Sequence, residues 1–224
     1  MNKIAYCDEP KKYHAGNWEE KTDVIDLYLH SFDKNDSLLT KKSLELIAYF
    51  KRQNEDVGVD YAHLFLAHRA YTRNDYSTAL HIALPVLSAC KTRNDTNGIL
   101  QATYIIGAAY EATKNYTEVL KYVKDAIPIN LAKRDKRQLL GGYNWIGAIY
   151  AEAFLPDSGL LYSQKSLYIA YELKNDSVLW APLSTVAENY IAKGDYDLAM
   201  PFLRKSMLYL NATVEKDDGI TYFS

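Results

Sequence analysis

Three of the five histidines, His63, His68 and His81, fall close together in the chain, and metal or acid–base chemistry would first be sought there. A helix-borne zinc site needs two imidazoles four apart with a glutamate beside the first, so that both rings reach one metal. His63 and His68 are five apart, and no glutamate accompanies them. Nucleophilic chemistry finds no footing either, because neither a Gly-x-Ser-x-Gly elbow nor a Gly-rich phosphate loop is present. Gly141-Gly142 opens an expected helix, where it reads as an allowance for close packing. No carboxylate pair stands in apolar surroundings that would raise its pKa for acid–base work. Cys7 and Cys90 are distant and form no Cys-x-x-Cys pair, which disfavours a disulfide scaffold and a zinc site alike. These residues imply no metal, no cofactor and no enzyme.

Charge narrows the partners. The net charge is −2, so no overall basic field exists to hold a phosphate backbone, and nucleic acid is an unexpected ligand. The one basic run, "AKRDKRQ" at 132–138, reads as a solvated helix end. Asn-x-Ser/Thr sequences at Asn35, Asn94, Asn115, Asn175 and Asn211 mostly fall where turns are expected, and read as capping chemistry. The opening residues, "MNKIAYCDEPKKYHAGNWEE", lack the apolar core of a signal peptide, and no segment has the length of a membrane span. A cytoplasmic location is expected, or a periplasmic one if a leader and membrane helix have been removed.

What would position any site is a repeat. "IIGAAY" at 105–110 returns as "WIGAIY" at 145–150 and "TVAENY" at 185–190. Tyr110, Tyr150 and Tyr190 are spaced by forty, as are Gly107, Gly147 and Ala187. Within 99–112, Leu100, Thr103, Ile106, Gly107 and Tyr110 recur at three- and four-residue steps, the signature of one helix face. Val119, Leu120, Val123, Ala126 and Ile127 do the same in the next segment. Polar turns are expected at 72–76, 113–116, 154–158 and 193–196, with linkers between repeats at 93–95, 133–135, 174–176 and 216–218. The small residue lets two helices approach, and the tyrosine three residues on wedges its ring between hairpins while its hydroxyl finds a polar partner. Pro85, inside an expected helix, should kink it. Strand-like alternation is absent.

The combined pattern, with Gly194-Asp195-Tyr196 followed by Ala199, Phe202 and Ser206, resembles the tetratricopeptide repeat. The resemblance covers 57–215 well and 22–56 loosely, with a period of forty in place of the family's 34. It implies an all-α fold, a right-handed superhelical array of antiparallel helix pairs. The expected organisation is an irregular cap over 1–20, about five pairs over 21–218 with the first divergent, and a further helix beginning at 219. The copy at 66–80 is one residue short by its tyrosine, so either Ala67 or His68 holds the small position.

Carrying over the family's groove positions gives Tyr104, Ala108 and Glu111, then Asn144, Ala148 and Ala151, then Ser184, Glu188 and Ile191. The short copy contributes Phe65 and Arg69, or Leu64 and His68 in the other register. The polar clamp that some members use for a chaperone's terminal carboxylates is missing, since Tyr104, Ile105 and Ala108 occupy its places. The resemblance implies a non-catalytic module that binds a protein or peptide segment, as the sensing or regulatory part of a larger bacterial signalling protein, a histidine kinase or a transcriptional regulator. The alternative is a structural adaptor that self-associates into a homo-oligomer through its terminal repeat.

Overall fold

The computed structural model describes residues 36–218 and the side chains of 40–212. The expected cap over 1–20, the first helix of the divergent pair and the helix expected from 219 lie outside the described residues. Within them the chain is helical throughout and forms no strand. The helices are α1 (Asp36–Arg52), α2 (Asp56–Thr72), α3 (Tyr76–Arg93), α4 (Thr96–Ala112) and α5 (Tyr116–Ala132). They continue as α6 (Lys136–Glu152), α7 (Pro156–Glu172), a 3₁₀ turn at Asp176–Val178, α8 (Trp180–Lys193) and α9 (Tyr196–Asp218). Two compact units divide the chain, Met1–Thr113 with α1 to α4 and Lys114–Ser224 with α5 to α9.

The turns have a regularity finer than the sequence echo. Asn54, Asn74, Asn94, Lys114, Arg134, Phe154, Lys174 and Gly194 all take positive φ, at intervals of twenty residues. A left-handed residue turns the chain out of the helix and lets two following N–H groups reach back to the last turn's orphaned carbonyls. Glu55, Asp75, Asp95, Asp135, Leu155 and Asp195 donate their backbone N–H to the carbonyl five residues earlier, at 2.9–3.1 Å. The same residue then caps the incoming helix. Asp75, Asp95 and Asp135 accept from the backbone N–H of Thr78, Gly98 and Gln138 at 3.0–3.1 Å. At those three turns one left-handed residue and one cap are the whole connection.

Each unit is built by packing neighbours in chain order, with an additional layer. In the first unit α2 touches both α3 and α4; in the second α6 touches α7 and α8. Helices such as α4 are buried well beyond one face: Ala102, Ile105, Ile106 and Ala109 are all enclosed, because more than one neighbour covers them. The first unit's core joins Leu46, Ile47 and Phe50 of α1 to Val59, Ala62 and Phe65 of α2. In the second unit Ala170 packs against Leu179 and Leu183, with Leu167 and Phe202 at the margin. Burying one such leucine stabilises by about 1.5–3 kcal/mol.

The expected close approach at Gly147 is present. A Cβ there would meet the Ser163 backbone nitrogen at 3.0 Å and the Gly159 carbonyl oxygen at 3.3 Å. Gly159 is small for a different reason, because a Cβ would overlap the Asn189 amide from α8. Asn189 is fully buried and donates to the carbonyls of Gly147 at 3.1 Å and Thr185 at 2.8 Å. Three helices thus meet at two glycines and one amide. Lys165-Ser166 recurs forty residues on as Lys205-Ser206, and the serines do the same work: Ser166 donates to the Leu140 carbonyl at 2.9 Å and Ser206 to that of Trp180 at 2.7 Å.

In the second unit the wedge expected between hairpins is instead a contact within one, across α6 and α7 and across α8 and α9. Tyr150 stacks on Tyr162 with ring centres 5.8 Å apart, and Tyr190 on Phe202 at 5.8 Å. Tyr150's hydroxyl finds its polar partner in Lys124, at 2.7 Å.

Three expectations are corrected. The copy at 66–80 is not short: the left-handed turns at Asn54 and Asn74 keep the interval, and Ala67 is fully buried while His68 is not. Gly141 is exposed with nothing within 4 Å of an added Cβ, so it permits no close packing. The linker at 216–218 is helical, because α9 runs on to Asp218 past position 214. Val214 stands there, and a β-branched residue resists positive φ.

A 3₁₀ turn precedes α8, and Pro182 falls in the first turn of α8, where its missing N–H costs nothing.

Two substitutions test the packing scheme. Gly147→Leu should destabilise by about 1–3 kcal/mol through overpacking against Ser163. Phe154 is 80% exposed in a left-handed conformation, so Phe154→Gly should stabilise by about 0.5–1 kcal/mol. Urea unfolding midpoints read both.

Candidate functional site

The first unit's face is carried by α2 and α4, which lie side by side. On α4, Tyr104 is 53% exposed, Glu111 is half-exposed and Ala108 is buried, a small residue between two larger ones. With Ala67 fixing the register, forty residues before Ala108 and Glu111 stand His68 and Tyr71. Their rings lie 6.3 Å apart, and Tyr71 is 6.0 Å from Tyr76. Burial raises the Tyr71 hydroxyl above its ordinary pKa, and Tyr104, Glu111 and Tyr76 add to the rise. That electrostatic sensitivity puts Tyr71 in the neighbourhood of Tyr104 and Glu111, which the sequence had not joined to it.

Phe65 and Arg69 are placed elsewhere. Phe65 is 6% exposed and packs with Leu46, Ile47 and Phe50. Arg69 occupies the position held by the fully buried Ala109, Ile149 and Asn189 in later repeats, and its Nε is shielded from solvent. The correction follows from register: the small residue is Ala67, and a one-residue shift rotates a helix by about 100°.

The second unit's face is carried by α6 and α8. Asn144 and Ala148 of α6 are half-buried, Ala151 is buried, and Ile191 of α8 is 41% exposed. Ser184 donates to Glu188 at 2.9 Å, four residues on along α8. The Asn144 side-chain oxygen is shielded from solvent and has no hydrogen-bond partner among the described residues.

Residues with catalytic chemistry are tied up structurally. Burial holds the His63 imidazole below its ordinary pKa, against the opposing pull of Asp60, so it is neutral at neutral pH. Cys90 is fully buried at the end of α3, its sulfur 3.9 Å from Asp95 and 4.0 Å from Arg93. Arg93 is ion-paired with Asp60 of α2, and Tyr61 donates to Asp95 at 3.4 Å. The cluster joins α2, the end of α3 and the cap of α4. Burial first, then the Asp95 and Asp60 carboxylates, push the thiol up to about 12. Among the described residues no group of three His, Cys, Asp or Glu could hold a metal ion.

No protein-family model matches the chain. No curated protein matches it. Among solved structures, the crystal structure of BtubC (BKLC) from P. vanneervenii is similar over 99% of this chain and 88% of that one, with a TM-score of 0.75 and 15% identity. The MamA protein aligns over 83% of this chain and 98% of its own, at 14% identity with a TM-score of 0.44. At 15% identity the likeness to BtubC is one of fold. The fold is an all-α helical repeat, as in the BtubC structure. Among the described residues no helix is long and apolar enough to cross a membrane.

The thiol gives a test of the structural reading. Cys90 should resist iodoacetamide in the native protein near pH 8, where thiolate is scarce, and react once urea opens the helices. Peptide mass mapping reads this; native alkylation at Cys90 would contradict its burial.

Proposed function

We propose that this tetratricopeptide-like solenoid is a non-catalytic module that binds a peptide or protein segment on the faces carried by α2 and α4 and by α6 and α8. The observation that carries the reading is Tyr104, a large ring left 53% exposed beside Tyr71 and Glu111 in a helix otherwise closely enclosed. Exposed tyrosines supply much contact area at small entropic cost, and they are frequent anchors of interfaces. Glu111, and Ser184 with Glu188 in the second unit, add hydrogen-bond acceptors that would select a segment bearing donors. A place in a bacterial signalling protein, ahead of a histidine kinase or a DNA-binding domain, is supported by the family resemblance alone.

A second reading has its own observation. On α9, Tyr196, Met200, Leu203, Met207 and Leu210 recur at steps of four and three, the spacing of a helix–helix seam. Four of them are exposed, Tyr196 at 65% and Met207 at 63%, and Leu208 beside them at 69%. Such a row favours an adaptor or scaffold that associates through α9. Light scattering over a wide concentration range separates the readings, and a monomer throughout removes the second.

For the first, affinity selection from a random peptide library supplies a ligand. Tyr104→Ala should weaken its binding about tenfold, the loss of one aromatic anchor, with the melting temperature unchanged. Equal affinity for Tyr104→Ala and for Asn144→Ala would remove the proposed faces.

A further inference from the structure

Away from those faces, three tyrosines and two lysines from three helices of the second unit meet. Tyr162 of α7 lies 5.8 Å from Tyr150 and 6.1 Å from Tyr143, both of α6 and two turns apart. Lys165 of α7 stands 5.1 Å from the Tyr162 ring centre and 5.6 Å from that of Tyr143. Lys124 of α5 approaches Tyr162 from its own helix, at 5.6 Å. It also lies 5.0 Å from the Tyr150 ring centre, but its 2.7 Å bond to the hydroxyl places it out along the C–O direction. That contact is a hydrogen bond, not a seat on the ring face.

The two ammoniums have no carboxylate within ion-pair distance among the described residues. The ion pairs on α5 to α8 belong to Lys121, Lys136 and Lys193, and Glu118 is already held by Lys121 at 3.0 Å. Two like charges are therefore gathered about one ring, in a protein whose net charge is −2. Ring faces offset part of their repulsion, about 0.5–1 kcal/mol each at exposed sites. The ammoniums present donors only, and each tyrosine hydroxyl has a proton to give. Tyr150's oxygen already accepts from Lys124, which leaves its own proton to give, and lysine has no acceptor at all. The ring edges offer an apolar flank on which a short methylene chain could lie.

We propose that Lys124, Lys165, Tyr143, Tyr150 and Tyr162 form a second binding site, which takes carboxylate side chains of an acidic peptide segment. A carboxylate is acceptor-only and carries the charge the two ammoniums lack, and glutamate brings the methylenes the rings can cover. The lysines flank Tyr162 from two helices rather than converging on one point, which suits successive side chains better than a single phosphate. The site is independent of the proposed faces: Tyr143 and Tyr150 lie roughly a third of a turn around α6 from Asn144 and Ala148.

The test is calorimetric titration of the full chain with hexaglutamate, with hexalysine and inorganic phosphate as separate arms. Wild type should bind hexaglutamate, and the Lys124→Gln/Lys165→Gln double variant should bind at least about tenfold more weakly. The Lys124→Arg/Lys165→Arg variant should retain binding. Circular dichroism melting checks the fold of each, and Lys165→Gln alone serves if the double variant is unstable. Equal hexaglutamate affinity in wild type and glutamine variants would overturn the site, as would no binding by wild type. Displacement of hexaglutamate by an equal concentration of phosphate would overturn the peptide assignment.

Discussion

At six turns a helix ends where one residue takes a left-handed conformation and the next N–H reaches back to a carbonyl five residues earlier. Everything else in the two units depends on where that reversal falls. It sets helix length, and it delivers a capping residue to the next helix one position later. It also decides which residues of successive helices stand at equal height. The burial of Ala67, Gly107 and Gly147 at one depth follows from turns at one interval. The constraint lies in the backbone, and the side chain at the turn has only to tolerate it. Asparagine, lysine, arginine, phenylalanine and glycine all do, whereas Val214 does not, and α9 continues.

That tolerance explains what the sequence could and could not reveal. The helix pairs were legible because Gly107, Gly147 and Ala187, with the tyrosines after them, must be small or aromatic for steric reasons. The finer interval of twenty was not, because its left-handed residues share no side-chain type. Tyr71 was misleading: as a tyrosine it invited alignment with Tyr110, although its place in the backbone matches Glu111. From that substitution of appearance for position came the register of Phe65 and Arg69, offered beside that of Leu64 and His68; the interval of the turns selects the second. The family pattern pointed to Tyr104 directly. Within the Lys124 cluster the lysine on α5 had no signal, since positions 84, 164 and 204 hold Leu, Gln and Arg.

In the second unit a polar device replaces the usual apolar contact. Asn189 sits where Ala109 and Ile149 stand in earlier repeats, and it uses its amide to hold the Gly147 carbonyl of one helix while filling the space vacated by Gly159 of another. A buried amide costs stability unless it is bonded; its nitrogen makes two donor bonds, while its oxygen has no hydrogen-bond partner among the described residues. An apolar residue of similar size could fill the space but would hold the helices in no particular alignment. The amide fixes it.

Because every turn reverses the chain, twenty residues are the unit of turning while forty are the unit of sameness. A duplication or loss of one helix within the second unit would leave each later helix of that unit antiparallel to its former direction, and would put residues of α7 where those of α6 now stand. Only even steps preserve which side of the sheet of helices a residue serves. The fold therefore has a parity: its length can change by pairs without disturbing any recognition surface, and by single helices only at the expense of all those downstream.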